Sequence, residues 1–167
     1  MLVSIAILGI TAVTVIPLLS SSDPQRLDVA AEETANLLRF ALSEASRTGG
    51  YVLVDGRTVI GRLSLHNSDA TGNLISAIDD PLTKRAAILD IGGSPFSQGV
   101  LPAPQFNAGG SPWTQLLIGP GMTQLQAFDG VTVNRGVLQS NSGVLLSYGG
   151  QSITVSLNEA TGLASLP

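Results

Sequence analysis

The most apolar part of the chain is its beginning. Met1–Ser22 contains no charged residue, and within Met1–Leu19 only Ser4, Thr11 and Thr14 interrupt the apolar run. A run of about 20 apolar residues is long enough to cross the hydrocarbon core of a bilayer as a helix. A cleaved secretory signal is disfavoured, because no basic residue precedes the run and no small-residue cleavage motif follows it. The candidate contact residues of the predicted helix are Leu2, Val3, Ile5, Ile7, Leu8, Gly9, Ile10, Val13, Val15, Ile16 and Pro17.

The next segment, 23–48, has the pattern of an amphipathic helix. Asp23 followed by Pro24 favours a helix start, and Gly49-Gly50 favours its end. Between them, apolar residues recur every three or four positions, which places them on one helical face. The predicted packing residues are Leu27, Ala31, Ala35, Leu38, Leu42 and Ala45. We therefore expect one long helix over 2–48, whose second half packs this face against the remainder of the chain.

The remainder, 49–167, has the pattern of short strands separated by glycine-rich turns. The clearest hairpin joins 143–148 to 152–157 through Gly149-Gly150-Gln151. The stretch 92–112 is rich in Gly, Pro and Ser and predicts a loop. Together these patterns predict an α+β fold, in which the long N-terminal helix packs against a C-terminal antiparallel β-sheet domain.

Composition and charge give little support to catalysis or nucleic-acid binding. The 167 residues carry a net charge of −4, only 12% are charged, and no cysteine is present. Bulk charge therefore disfavours a nucleic-acid partner. His66 is the only histidine, and Asp79-Asp80 before Pro81 is more typical of a turn than of a calcium site. We predict no catalytic residue, no metal ligand and no cofactor.

Three stretches resemble one protein family. The sequence MLVSIAILGITAVTVIP, residues 1–17, resembles the apolar helix of type IV pilins and type II secretion pseudopilins, with Gly9 and Pro17 at the family's glycine and proline positions. AAEETANLLRFALSEA, residues 30–45, resembles the GspH/FimT class of minor pseudopilins. LLSYGG and ITVSLNEATG, at 145–150 and 153–162, resemble the terminal hairpin and N-x-x-T-G turn of that class.

This resemblance implies a pilin-like subunit with three parts. Residues 1–22 would be the transmembrane and filament-core half of the helix, 23–48 its amphipathic half, and 49–167 the globular pseudopilin domain. The implied function is that of a minor pseudopilin in a type II secretion system, assembled at the bacterial inner membrane with its β domain in the periplasm. The implied partners are other pilins or pseudopilins and the inner-membrane assembly platform.

The family's basic leader, its cleaved glycine and its opening Phe-Thr-Leu-Ile-Glu do not precede Met1 in this sequence. We expect the natural chain to begin further upstream, in which case prepilin peptidase would also be a partner. A genuine divergence is the alternative, and it would remove both peptidase processing and the assembly role of the glutamate.

Two other functions stay open. The first is a minor type IV pilin of the FimT kind, acting in pilus biogenesis or DNA uptake; this function predicts basic residues near the C-terminus, yet none follows Arg135. The second is a single-pass membrane anchor carrying an unrelated β domain. That architecture predicts a helix that ends near Leu19 rather than continuing to Arg47.

Overall fold

A computed structural model describes residues 22–120, 125–128 and 135–167 of the chain. The predicted membrane and filament residues, from Leu2 to Pro17, therefore lie outside the described residues. The first described element is the helix α1, Ser22–Thr48, which is 27 residues long. Gly49 follows it with a positive φ of 63°, a backbone conformation that glycine adopts without steric cost and that commonly ends helices.

Twelve strands follow in the described residues. They are β1 Tyr51–Asp55, β2 Arg62–Ser68, β3 Leu74–Ala77, β4 Ile88–Asp90, β5 Leu101–Ala108, β6 Ser111–Trp113, β7 Gln115–Ile118, β8 Leu125–Phe128, β9 Arg135–Val137, β10 Ser142–Tyr148, β11 Gln151–Leu157 and β12 Ala164–Ser165. Every pairing between them is antiparallel.

The strands form two sheets. The first has the order β3-β2-β1-β7-β8-β9, with β4 also paired to β2, and the second has the order β12-β11-β10-β5-β6. The predicted terminal hairpin is confirmed: β10 pairs with β11 from Ser142↔Leu157 to Tyr148↔Gln151. Because β5 and β6 contact strands of the first sheet, the two sheets enclose a common interior.

Helix α1 covers this interior by contacting strands of both sheets. All six predicted packing residues are buried, together with Ala30, Thr34 and Ala41. The hydroxyl of Thr34 donates to the carbonyl of Ala30 at 2.7 Å, so this buried polar group is satisfied within the helix. Two arginines at the margin of the buried face join the helix to other parts of the chain, namely the loop between β4 and β5 and the strand β12. Arg26 donates to Gln98 O at 2.9 Å, and Arg39 donates to Ala164 O at 3.0 Å.

The predicted fold, a long helix packed on a sheet domain, is wrong for the part of the chain that the structure describes. One helix is present there, and most of the regular structure is strand in two antiparallel sheets, so the described part of the molecule is mainly β. The physical reason lies after Thr48. Glycine-rich turns separate short alternating runs there, and these runs build two layers rather than one sheet behind a dominant helix.

The predicted loop over 92–112 is also wrong in its second half, where β5 and β6 form. Prolines 102 and 104 lie opposite Leu146 and Val144 of β10. The partner on the other side of β5, the short strand β6, pairs only with 106–108. Alternating prolines are compatible with a strand when their missing amides face an unpaired edge. Gly56 also permits this arrangement, because a Cβ there would lie 2.6 Å from the Pro104 ring.

Candidate functional site

The groove between α1 and the segment that joins β3 to β4 combines acidic and apolar side chains. It encloses about 460 Å³. The lining residues are Glu33, Asn36, Leu37, Phe40, Asp80, Pro81, Thr83, Ala86, Ala87, Ile88 and Leu89. Helical spacing explains the helix side, because Glu33, Leu37 and Phe40 are four and three residues apart and share one face.

A tight turn forms the opposite wall. The carboxylate of Asp80 accepts hydrogen bonds from the amides of Leu82 and Thr83, both at 2.8 Å. The amide of Asp80 donates to Arg85 O at 2.7 Å and closes the hairpin. The hydrogen bond from Thr83, followed by that from Leu82, lowers the pKa of Asp80, so this carboxylate is anionic at neutral pH. Asp80 therefore both caps its turn and brings negative charge to the groove.

Glu33, on the helix side of the groove, differs from Asp80 in its hydrogen bonding. Its Oε2 atom is buried and has no hydrogen-bond partner. Burial raises the pKa of Glu33, because desolvation disfavours the charged carboxylate. Glu32 and Glu33 both lie outside the six predicted packing residues of the helix. The structure instead turns Glu33 towards the groove and leaves Glu32 exposed. Its spacing from Leu37 and Phe40 places Glu33 on their face of the helix, but the spacing alone does not show what lies opposite that face.

A second pocket lies on the face of the first sheet that points away from the helix. It encloses about 220 Å³ and is lined by Asp55, Thr58, Val59, Arg62, Ser64, His66, Leu74 and Ile88. Burial alone would raise the pKa of Asp55. The pKa is nevertheless lowered, because the carboxylate accepts hydrogen bonds that outweigh the effect of burial. The donors are Thr58, the Arg57 amide at 2.9 Å and Gln115 at 2.8 Å. The buried Asp55 carboxylate is thus satisfied by its own loop and by β7.

The same pocket contains the single histidine. Ser64 Oγ and His66 Nε2 are 3.0 Å apart, because both side chains project from the same face of β2. Among the described residues, no carboxylate forms an ion pair or hydrogen bond with His66. A serine nucleophile needs a base that a third group orients, together with donors for the oxyanion. The Ser64–His66 pair therefore lacks the orienting group in the described part of the chain.

Three further predictions concern the Asp79-Asp80 turn, metal binding and a membrane-spanning helix. Asp79 and Asp80 form the predicted turn, with Asp79 bridged to Ala86. Within 22–120, 125–128 and 135–167, no group of three or more His, Cys, Asp or Glu side chains could hold a metal ion. The described helix is not long and apolar enough to cross a membrane.

Comparisons with protein-family models, with curated proteins and with solved structures give no match for this chain. A functional assignment therefore depends on the sequence patterns and on the geometry of the described residues. Among those residues, the groove beside Glu33 combines apolar walls with a buried carboxylate oxygen that has no hydrogen-bond partner.

Proposed function

We propose that this chain is a structural subunit of the minor pseudopilin kind, which assembles at the bacterial inner membrane and takes part in protein export. The observation that carries the proposal is the position of α1. The described part of this helix, Ser22–Thr48, follows the apolar segment in the sequence, and its buried face is fixed to both sheets. Such a connection suits a subunit whose apolar segment packs with its neighbours, because force on that segment would be passed to the β body.

The C-terminal turn gives further support. Asn158 Oδ1 accepts hydrogen bonds from the amides of Ala160 and Thr161 and from the Thr161 hydroxyl, at 2.9–3.0 Å. The Gly162 amide donates to Asn158 O at 2.7 Å, and Gly162 lies against Leu42 of α1. The N-x-x-T-G residues that carry the resemblance thus build a turn that contacts the helix.

Deletion of the gene in its own host tests this function. We expect folded export cargo to accumulate in the periplasm, a full-length copy to restore export, and a copy lacking residues 1–21 to fail although its β body is present. A loss of DNA uptake with normal export would instead favour the FimT-like function. Normal export and normal uptake, with the protein still in the membrane fraction, would favour the single-pass anchor with an unrelated β domain.

A further inference from the structure

The first turns of α1 are joined by hydrogen bonds to two loops of the β body. They are the β1–β2 loop, 56–61, and the β4–β5 loop, 91–100. Arg26 of the helix donates to Gln98 O in the β4–β5 loop at 2.9 Å. In the same loop, the amide of Ile91 donates to Gly61 O of the β1–β2 loop at 3.1 Å. Both loops therefore lie at the end of the body where the described part of the helix starts.

Large apolar side chains project from these loops into solvent. Ile60 of the β1–β2 loop is 93% exposed, and Phe96 of the β4–β5 loop is 71% exposed. Leu101, which directly follows the β4–β5 loop, is 64% exposed. Single exposed apolar residues are ordinary, but apolar tips on two connected loops are typical of an interaction surface. Neither loop contains an acidic residue, so neither loop adds a charge that anionic lipid headgroups would repel.

The sequence before the helix indicates what lies against this surface. The apolar run ends at Leu19, and the described helix starts at Ser22, three positions later. Three residues span at most about 11 Å in any conformation. Arg26 is only about 6 Å further along the helix axis. The headgroup layer on each side of the hydrocarbon core is itself about 5–8 Å thick. A bilayer that holds the apolar run therefore lies close to this end of the body.

We propose that the β1–β2 and β4–β5 loops contact the bilayer surface, with Ile60 and Phe96 entering the boundary between headgroups and acyl chains. Apolar side chains are stabilised there because they leave water. These two contacts, beside the segment that enters the membrane, restrain the orientation of the β body relative to the bilayer. The inference rests on the proposed function, because it requires the apolar segment to lie in the membrane.

Site-directed fluorescence tests the contact, and the absence of cysteine from the sequence permits single labels. Ile60→Cys and Leu82→Cys each carry the fluorophore NBD in the full chain, which is reconstituted into vesicles of phosphatidylethanolamine and phosphatidylglycerol. Leu82 is the matched control because it is also aliphatic and 90% exposed, whereas its neighbours Pro81 and Thr83 face the middle of α1. We expect a nitroxide-bearing phospholipid to quench the label at position 60 several-fold more strongly than the label at position 82.

Flotation of the same vesicles in a density gradient separates failure of this inference from failure of the proposed function. If the chain floats but the two labels are quenched equally, whether weakly or strongly, the loops are not the specific contact surface. That result would overturn the inference and leave the proposed function standing. If the chain does not float with the vesicles, the membrane attachment on which both proposals depend is wrong.

A further variant tests whether the apolar tips cause the contact. Ile60→Ser and Phe96→Ser are combined, and an NBD label on Leu101→Cys reports the distance to the lipid. We expect quenching at position 101 to fall several-fold when both tips are replaced, and to stay unchanged with Leu82→Ser. The replaced side chains are mostly exposed, so the urea midpoint of unfolding should remain that of the wild type. Unchanged quenching at position 101 in the folded double variant would contradict the proposal.

Discussion

At the scale of single residues, Glu33 is expected to reduce the stability of the fold. Burial raises its pKa, so the folded state favours the protonated form more than the unfolded state does. Any stability from this group is therefore present below the unfolded pKa of about 4.3 and is lost as the pH rises through the folded pKa. Glu33→Gln should raise the free energy of unfolding at pH 7 by about 0.5 kcal/mol, as measured by urea denaturation. The gain is small because water still screens the half-open groove. The gain should disappear below about pH 4.

The matched control for this prediction is Glu32→Gln, because the side chain of Glu32 is exposed. This substitution should change the free energy of unfolding little at either pH. If Glu33→Gln were less stable than wild type at pH 7, Glu33 would have a partner that stabilises it, and the unsatisfied acceptor would not exist.

Gly162 is the second residue with a specific steric role. Its φ is +68°, and a Cβ there would lie 2.7 Å from Leu42 Cδ2 and 3.0 Å from Leu125 Cδ1. Gly162→Ala should therefore lower the free energy of unfolding by about 2–3 kcal/mol, through backbone strain and overpacking together. Gly150→Ala is the control, because Gly150 has a φ of +81° with open space around it and should cost only about 1 kcal/mol. Equal losses in urea denaturation would show that packing against α1 contributes nothing.

At the scale of elements, the stability of the molecule depends on the buried face of α1. Leu38 lies in its middle and is only 1% exposed, among residues of both sheets. Leu38→Ala should lower the free energy of unfolding by about 2–5 kcal/mol, because it removes buried apolar surface and leaves a cavity. Leu82→Ala, at a position 90% exposed, should change it by less than about 0.5 kcal/mol. A small loss at Leu38 in thermal or urea unfolding would mean that α1 is not anchored as described.

The elements also show what the sequence could and could not predict. Apolar spacing placed the six packing residues of α1 on one face, and the structure buries all six. The hairpin β10–β11 was predictable because two alternating runs flank Gly149-Gly150. Strand β5 was not, because proline is normally depleted in strands, and only the pairing geometry shows that Pro102 and Pro104 lie where β6 does not pair. The division into two sheets depends on long-range contacts that no local pattern contains.

The candidate groove was missed for a related reason. Glu33 belongs to a helix whose acidic residues all fit a solvent-facing side when the helix is considered alone. The opposite wall of the groove includes Pro81 and Ile88, which are about 50 residues further along the chain. Sequence spacing identifies which helix residues share a face, but it does not identify what lies opposite them.

At the scale of the whole molecule, one core joins the helix and both sheets. Leu38 of α1, Val54 of the first sheet and Val144 of the second belong to a single cluster of buried residues. We therefore expect one cooperative unfolding transition rather than separate melting of the helix and the sheets. Far-UV circular dichroism at 222 nm reports on helical structure, which includes α1, and the fluorescence of Trp113 reports on β6, where the sequence has its only tryptophan.

The two signals should change at the same urea concentration in the wild-type chain. Leu38→Ala should move both midpoints down together, although Leu38 is on the helix and Trp113 is on a strand, because loss of the shared core destabilises every element packed on it. If the helical signal moved and the tryptophan signal did not, α1 would be an independent unit resting on a self-sufficient β body. A coincident shift would instead mean that α1 and both sheets unfold together, so that force applied to α1 is transmitted to the whole fold. A subunit held in a filament by its N-terminal segment requires this mechanical coupling.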